Sequence, residues 1–145
     1  MQVVKVLTIP CTPSDEKDFF LRWVEYLRPR HGLTPTEQKV LAACLRHRHE
    51  LSKSITDPVV LEETCLNEAN REKLKQELGM SSPQLTGVLA SLKNAKVIAP
   101  KNKLNGRAEY YKIAPSFIPD IDDSGEFKLL LVFKYTSDAA QKSPK

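Results

Sequence analysis

Leu85, Val88, Leu89 and Leu92 stand at i, i+3, i+4 and i+7, a spacing that a helix brings to one side and a strand does not. Their surroundings constrain the chain further. Upstream, "REKLKQEL" sets Leu74 and Leu78 on one helical face, and Gly79 follows where a left-handed residue ends a helix at little cost. Ser82 then offers an N-cap and Pro83 a first helical position. The sequence therefore predicts two helices joined by a tight turn, both with apolar faces to bury. From Met80 to Leu92 there is no charged side chain. The outward face of the second helix is left to Ser, Thr, Gln, Gly and Ala.

The neighbouring segments supply elements for those faces to pack against. In "LTPTEQKVLAACLRHRHEL", Thr34 is the predicted N-cap, Pro35 the first helical residue, and Glu37 closes a T-x-x-E capping box. Val40, Leu41, Cys44 and Leu45 make its buried stripe. Asp57-Pro58 can cap a further helical stretch, and Asn67 or Asn70 the "REKLKQEL" helix. After the leucine helix, "KVIAPKNKLNGRAEYYKIA" reads as a hairpin. Val97 to Ala99 form a short strand, Asn105-Gly106 the turn, and Arg107 to Ala114 the return. At the N-terminal side, "QVVKVLTI" reads as a strand ending at Pro10. A helix capped by Ser14 follows, apolar at Phe19, Phe20, Trp23, Val24 and Leu27, and stopped by Pro29 and Gly32. "FKLLLVFKY", residues 127–135, reads as a strand, and 136–145 as a polar tail. The two terminal strands are expected to pair or to extend the hairpin, with Phe19, Phe20 and Trp23 covering them. These elements make one α+β domain over residues 1–135.

Composition fits that expectation. A chain of 145 residues with 41% apolar and 28% charged residues is one soluble domain with a full core. A net charge of +4 mildly favours polyanionic partners. Cys11, Cys44 and Cys65 lack metal-ligand spacing, and His47 and His49, two apart, do not share a helix face. Neither a metal nor another cofactor is expected. "DIDDSGE" lacks the ligand spacing and closing glutamate of a calcium loop, and reads as a solvated acidic turn. No phosphate-binding glycine loop, H-E-x-x-H or nucleophile elbow is present, so no enzymatic activity is expected. Neither a signal peptide nor a membrane span is legible, and a cytoplasmic location is expected.

Taken in order, residues 33–114 resemble the winged helix-turn-helix superfamily, with residues 1–32 as an added strand and helix. Leu74 and Leu78 match the core positions of its second helix, Gly79-Met80 its turn, and Leu85, Leu89 and Leu92 the inner face of its third helix. Val97-Ile98 match the apolar pair that opens the wing, and "LTPTEQKVLAACL" is similar to the first helix of many bacterial regulators of this kind. The superfamily usually carries Gly just before that apolar pair, where this chain has Lys96. The resemblance implies a third helix that enters the major groove of double-stranded DNA and a wing that follows the backbone. The residues implied are Ser81, Ser82, Gln84, Thr86, Gly87 and Ser91 on the helix, Lys93 and Lys96 at its end, and Lys101, Lys103 and Arg107 around the wing. Arg71, Lys73 and Lys75 are further cations on the second helix. The expected function is transcription or replication control, as a homodimer. The alternative is a winged-helix subunit of a larger assembly, such as a phage virion or replication complex, with the terminal strands and the tail as its contacts; winged helices that serve as interaction modules also pack an uncharged third-helix face against another chain.

Overall fold

A computed structural model of the chain describes residues 16–119 and 121. The predicted strands at 2–9 and 127–135, the Ser14 cap, Cys11 and the tail 136–145 lie outside the described residues. Within them the fold is α+β. Six helices, α1 (Glu16–Tyr26), α2 (Arg28–His31), α3 (Pro35–Ser52), α4 (Pro58–Cys65), α5 (Glu68–Leu78) and α6 (Ser82–Asn94), precede an antiparallel pair, β1 (Ile98–Leu104) and β2 (Arg107–Ile113). A 3-10 turn, Pro115–Phe117, closes the described chain. The arrangement of α3, α5, α6 and the hairpin is winged-helix-like.

Local chemistry sets most of these boundaries. Thr34 Oγ1 accepts from Glu37 N at 3.3 Å while Glu37 Oε1 accepts from Thr34 N at 2.9 Å, so the capping box closes from both sides. Asp57 accepts from Val59 N, and Asn67 from Asn70 N, at the starts of α4 and α5. The first helical segment departs from expectation. Pro29 does not stop it: α1 ends at Tyr26, and Pro29 sits early in the short α2, where a missing N–H costs nothing. Gly32, left-handed at φ 62°, makes the actual stop.

Helices α5 and α6 end in the same way. At each, the residue after the cap is left-handed, and two backbone bonds close the last turn. In α5 these are Gly79 N to Gln76 O and Met80 N to Lys75 O; in α6 they are Lys96 N to Lys93 O and Val97 N to Leu92 O. This is the Schellman arrangement. In α5 the left-handed residue is a glycine, and in α6 it is Lys96, at φ 61°. The left-handed position that glycine fills at the end of α5 is thus filled by a lysine at the end of α6, at the cost of a Cβ clash. Lys96→Gly is expected to raise stability by about 0.5–1 kcal/mol, and Lys96→Val to lower it by more than ~1 kcal/mol, as read from urea melts.

Leu85, Leu89 and Leu92 face inward and meet Val40, Leu41, Cys44, Leu45, Leu74, Val97 and Ile98 in one core. Phe20, Trp23 and Val24 of α1, with Leu27 just after it, join that core beside α3, and Trp23 Nε1 donates to Phe117 O at 2.8 Å. His31 is buried at the joint between α1 and α3. Its Nδ1 accepts from Leu33 N at 2.9 Å and its Nε2 donates to Val24 O at 2.7 Å. Burial pushes the Cys44 thiol up to about 12 and the Cys65 thiol up to about 11, so neither is a nucleophile at neutral pH.

The hairpin is longer than the sequence reading has it. β1 runs seven residues to Leu104, with Ile98 opposite Ile113, Ala99 opposite Lys112 and Lys101 opposite Tyr110. Asn105 and Gly106, both at positive φ, form the two-residue turn. Asn67 adds one bridge to Tyr110 on the outer side of β2, and Tyr111 N reaches Leu66 O. The α4–α5 junction thereby supplies a fragment of a third strand.

Candidate nucleic-acid interface

The N-cap of α6 is Ser81, one residue before the predicted Ser82. Ser81 Oγ accepts from Gln84 N, and Gln84 Oε1 accepts from Ser81 N at 2.8 Å. This closes a second capping box, S-x-x-Q, and leaves Ser82 in the first turn beside Pro83. The consequence reaches the candidate site. The side-chain oxygen of Gln84, half of the donor–acceptor pair that could grip an adenine, is engaged in holding the helix end. Ser91 is also less free than its spacing suggests. It is half-buried, and its Oγ donates to Gly87 O at 3.3 Å. The Thr34 backbone N–H holds the Glu37 carboxyl below its ordinary value, and the nearby Ser91 side chain lowers it further. Ser91 therefore looks toward the start of α3.

α6 presents Ser82, Pro83, Gln84, Thr86, Gly87 and Ala90 to solvent, with Lys93 and Asn94 exposed in its last turn. A Cβ built on Gly87 meets nothing within 4 Å, so no intramolecular packing requires the glycine. Gly87→Ala is expected to stabilise the domain by about 1 kcal/mol, the helix-propensity difference, as read by thermal melting.

The cations fall into separate groups. At the start of α6, Lys75 Nζ reaches Ser82 Oγ at 3.1 Å and pairs with Glu72 at 2.9 Å. Around the wing, Lys101, Lys103 and Arg107 are exposed and form no ion pair among the described residues. A groove of about 760 Å³ between the wing tip and the start of α5 is lined by Lys103 and Arg107, but also by Glu68 and Glu109. Its mixed charge suits the cations to a surface passing over the tip better than to an anion inside. Lys93 and Lys96 do not belong to the tip. They line a second hollow, at the base of the wing, with Lys112.

Arg71 is not available to a duplex at all. Its guanidinium donates to Leu66 O at 2.7 Å, Ala108 O at 3.2 Å and Glu109 O at 3.3 Å, and lies 5.2 Å from the centre of the Tyr111 ring. It ties α5 to the wing.

Family models, curated proteins and solved structures contain no match to this chain.

Two of these features were open to sequence reasoning. Ser81-x-x-Gln84 satisfies the capping-box spacing better than any box starting at Ser82. The Asn-Gly turn fixes the hairpin register, which sets Lys112 opposite Ala99. Arg71 gave no signal, because its acceptors are backbone carbonyls, which every residue carries. His47 is another such case. Its Nε2 meets Asn70 Oδ1 at 2.9 Å while Asn70 Nδ2 donates to Thr64 O, a half-buried polar link between α3, α4 and α5. No group of three or more possible metal ligands forms among the described residues, and no described helix is long and apolar enough to cross a membrane.

Proposed function

We propose that this chain binds double-stranded DNA with little discrimination between sequences, laying α6 along the major groove and the wing along the phosphates. The observation that carries this reading is an uncharged, exposed α6 face on the same winged-helix-like unit as three unpaired wing cations, Lys101, Lys103 and Arg107. Phosphate neutralisation supplies most non-specific affinity, and base reading needs donors and acceptors free at the groove floor. Gln84 is committed to the helix cap and Ser91 turns toward α3, so few such groups remain. Gly87, which the fold itself does not need, lets the helix backbone approach a groove wall. Ser82 and Lys75 at the α6 N-terminus offer one further phosphate contact. A monomer with about three phosphate contacts binds weakly, so the reading includes a second copy of the chain.

Binding to a random-sequence duplex is expected to fall with a log–log salt slope of about −3, roughly 60-fold over a fourfold rise in salt. The Lys101→Ala, Lys103→Ala, Arg107→Ala triple variant flattens that slope while its melting curve is unchanged. A flat response in the parent chain removes the DNA reading. A second reading, a subunit held in an assembly by apolar contacts, is favoured by Val59 and Val60, 61% and 45% exposed at the start of α4. A chain that stays a solitary monomer at high concentration, alone and with candidate partners, removes that one.

A further inference from the structure

The hollow at the base of the wing has no part in the duplex reading. It measures about 410 Å³, within the ~300–1,000 Å³ range of pockets that hold small ligands. Its apolar lining, here its floor, is Ala99, Pro100 and Ala114 with the edge of the core residue Ile98, and its cations are Lys93, Lys96 and Lys112. The elements that build it are fixed in place. The Schellman turn after α6 sets Lys96 at φ 61°, and the hairpin register sets Lys112 beside Ala99. Lys112 shares its charge with Glu62, 3.5 Å away. Lys93 and Lys96 are exposed and have no carboxylate partner among the described residues.

We propose that this hollow takes a short acidic peptide segment of a partner protein, with one apolar side chain on the floor and flanking carboxylates on the lysines. Charge complementarity selects an anionic ligand. The floor selects against a bare phosphate, which gains nothing from Ala99, Pro100 and Ala114 and loses hydration there. Shape selects against a duplex, a convex rod that cannot enter a concavity of this size. The seven residues of β1 span about 20 Å, which separates the hollow, beside the first residues of β1, from the cations of the wing tip.

The test uses the full chain and a fluorescein-labelled peptide, Glu-Glu-Phe-Glu-Leu-Glu, followed by anisotropy. Saturable binding is expected, about tenfold weaker for Glu-Glu-Ser-Glu-Ser-Glu and about tenfold weaker for the Lys93→Glu, Lys96→Glu double variant. Ala99→Glu, at an exposed position, fills the hollow and gives the same loss with every lysine in place. The Ala99→Glu variant keeps the duplex salt slope, so failure here and failure of the DNA reading are separate results. Equal binding of the two peptides, equal binding to parent and variants, or no saturable binding overturns the proposal. So does displacement of the peptide by a short duplex, which assigns these lysines to the nucleic acid.

Discussion

Leu89→Asp abolishes cooperative folding. Leu89 is 6% exposed and packs in the same core as Leu85, Leu92, Leu41 and Val97. Removing its side chain costs about 2–5 kcal/mol in lost transfer energy and cavity. The carboxylate that replaces it has no cation among those neighbours, and a buried unpaired charge adds several kcal/mol more. The sum matches the ~5–15 kcal/mol that holds a domain of this size together. Far-ultraviolet circular dichroism should show no thermal transition in this variant, and Leu89→Ala should melt cooperatively at a lower temperature. A Leu89→Asp chain with a parent-like midpoint would mean that this face of α6 is solvated, and the helix-turn-helix packing with it would be wrong.

Arg71→Ala loosens the wing before it unfolds the domain. The guanidinium makes three bonds to carbonyls and lies over Tyr111, all at the boundary between α5 and β2. Hydrogen bonds from a charged donor contribute ~1.5–3 kcal/mol each when buried, but this group is half-buried and water replaces part of them. A total loss of about 2–3 kcal/mol is expected. Arg71→Lys should recover less than half of it, because one ammonium does not span three carbonyls in a plane. Hydrogen exchange distinguishes this from general destabilisation. The Tyr111 amide, bonded to Leu66 O across the same boundary, should lose protection well before the α3 amides do. Uniform loss across α3 and β2 would make Arg71 an ordinary core contact. On the proposed DNA reading, duplex affinity also falls, since the wing cations then follow no fixed path.

The helix ends were legible because capping is local. Thr34 and Glu37, Asp57 and Val59, and Asn67 and Asn70 lie two or three residues apart, so sequence spacing already states the hydrogen bond. Gly79 and the Asn105-Gly106 turn announced positive φ by residue type. Lys96 did not, since lysine does not prefer that region. Its geometry follows from the two bonds that end α6 and from Val97 and Ile98 being drawn into the core. The placement of the α6 cap was a near miss between adjacent serines. It matters because choosing Ser81 commits Gln84 to the cap, and with it the best candidate for base reading.

By itself the sequence determined which segments are helical, most of the residues that cap them, which faces are apolar and where the hairpin turns. Each of those depends on interactions within about one turn or one hairpin. Only the tertiary structure decided which cations are free. Arg71 is spent on carbonyls 37 and 38 residues away, Lys112 pairs with Glu62, and Lys93 and Lys96 gather at the wing base instead of the tip. A charged side chain carries no mark of its partner, and long-range packing alone brings the acceptor within reach.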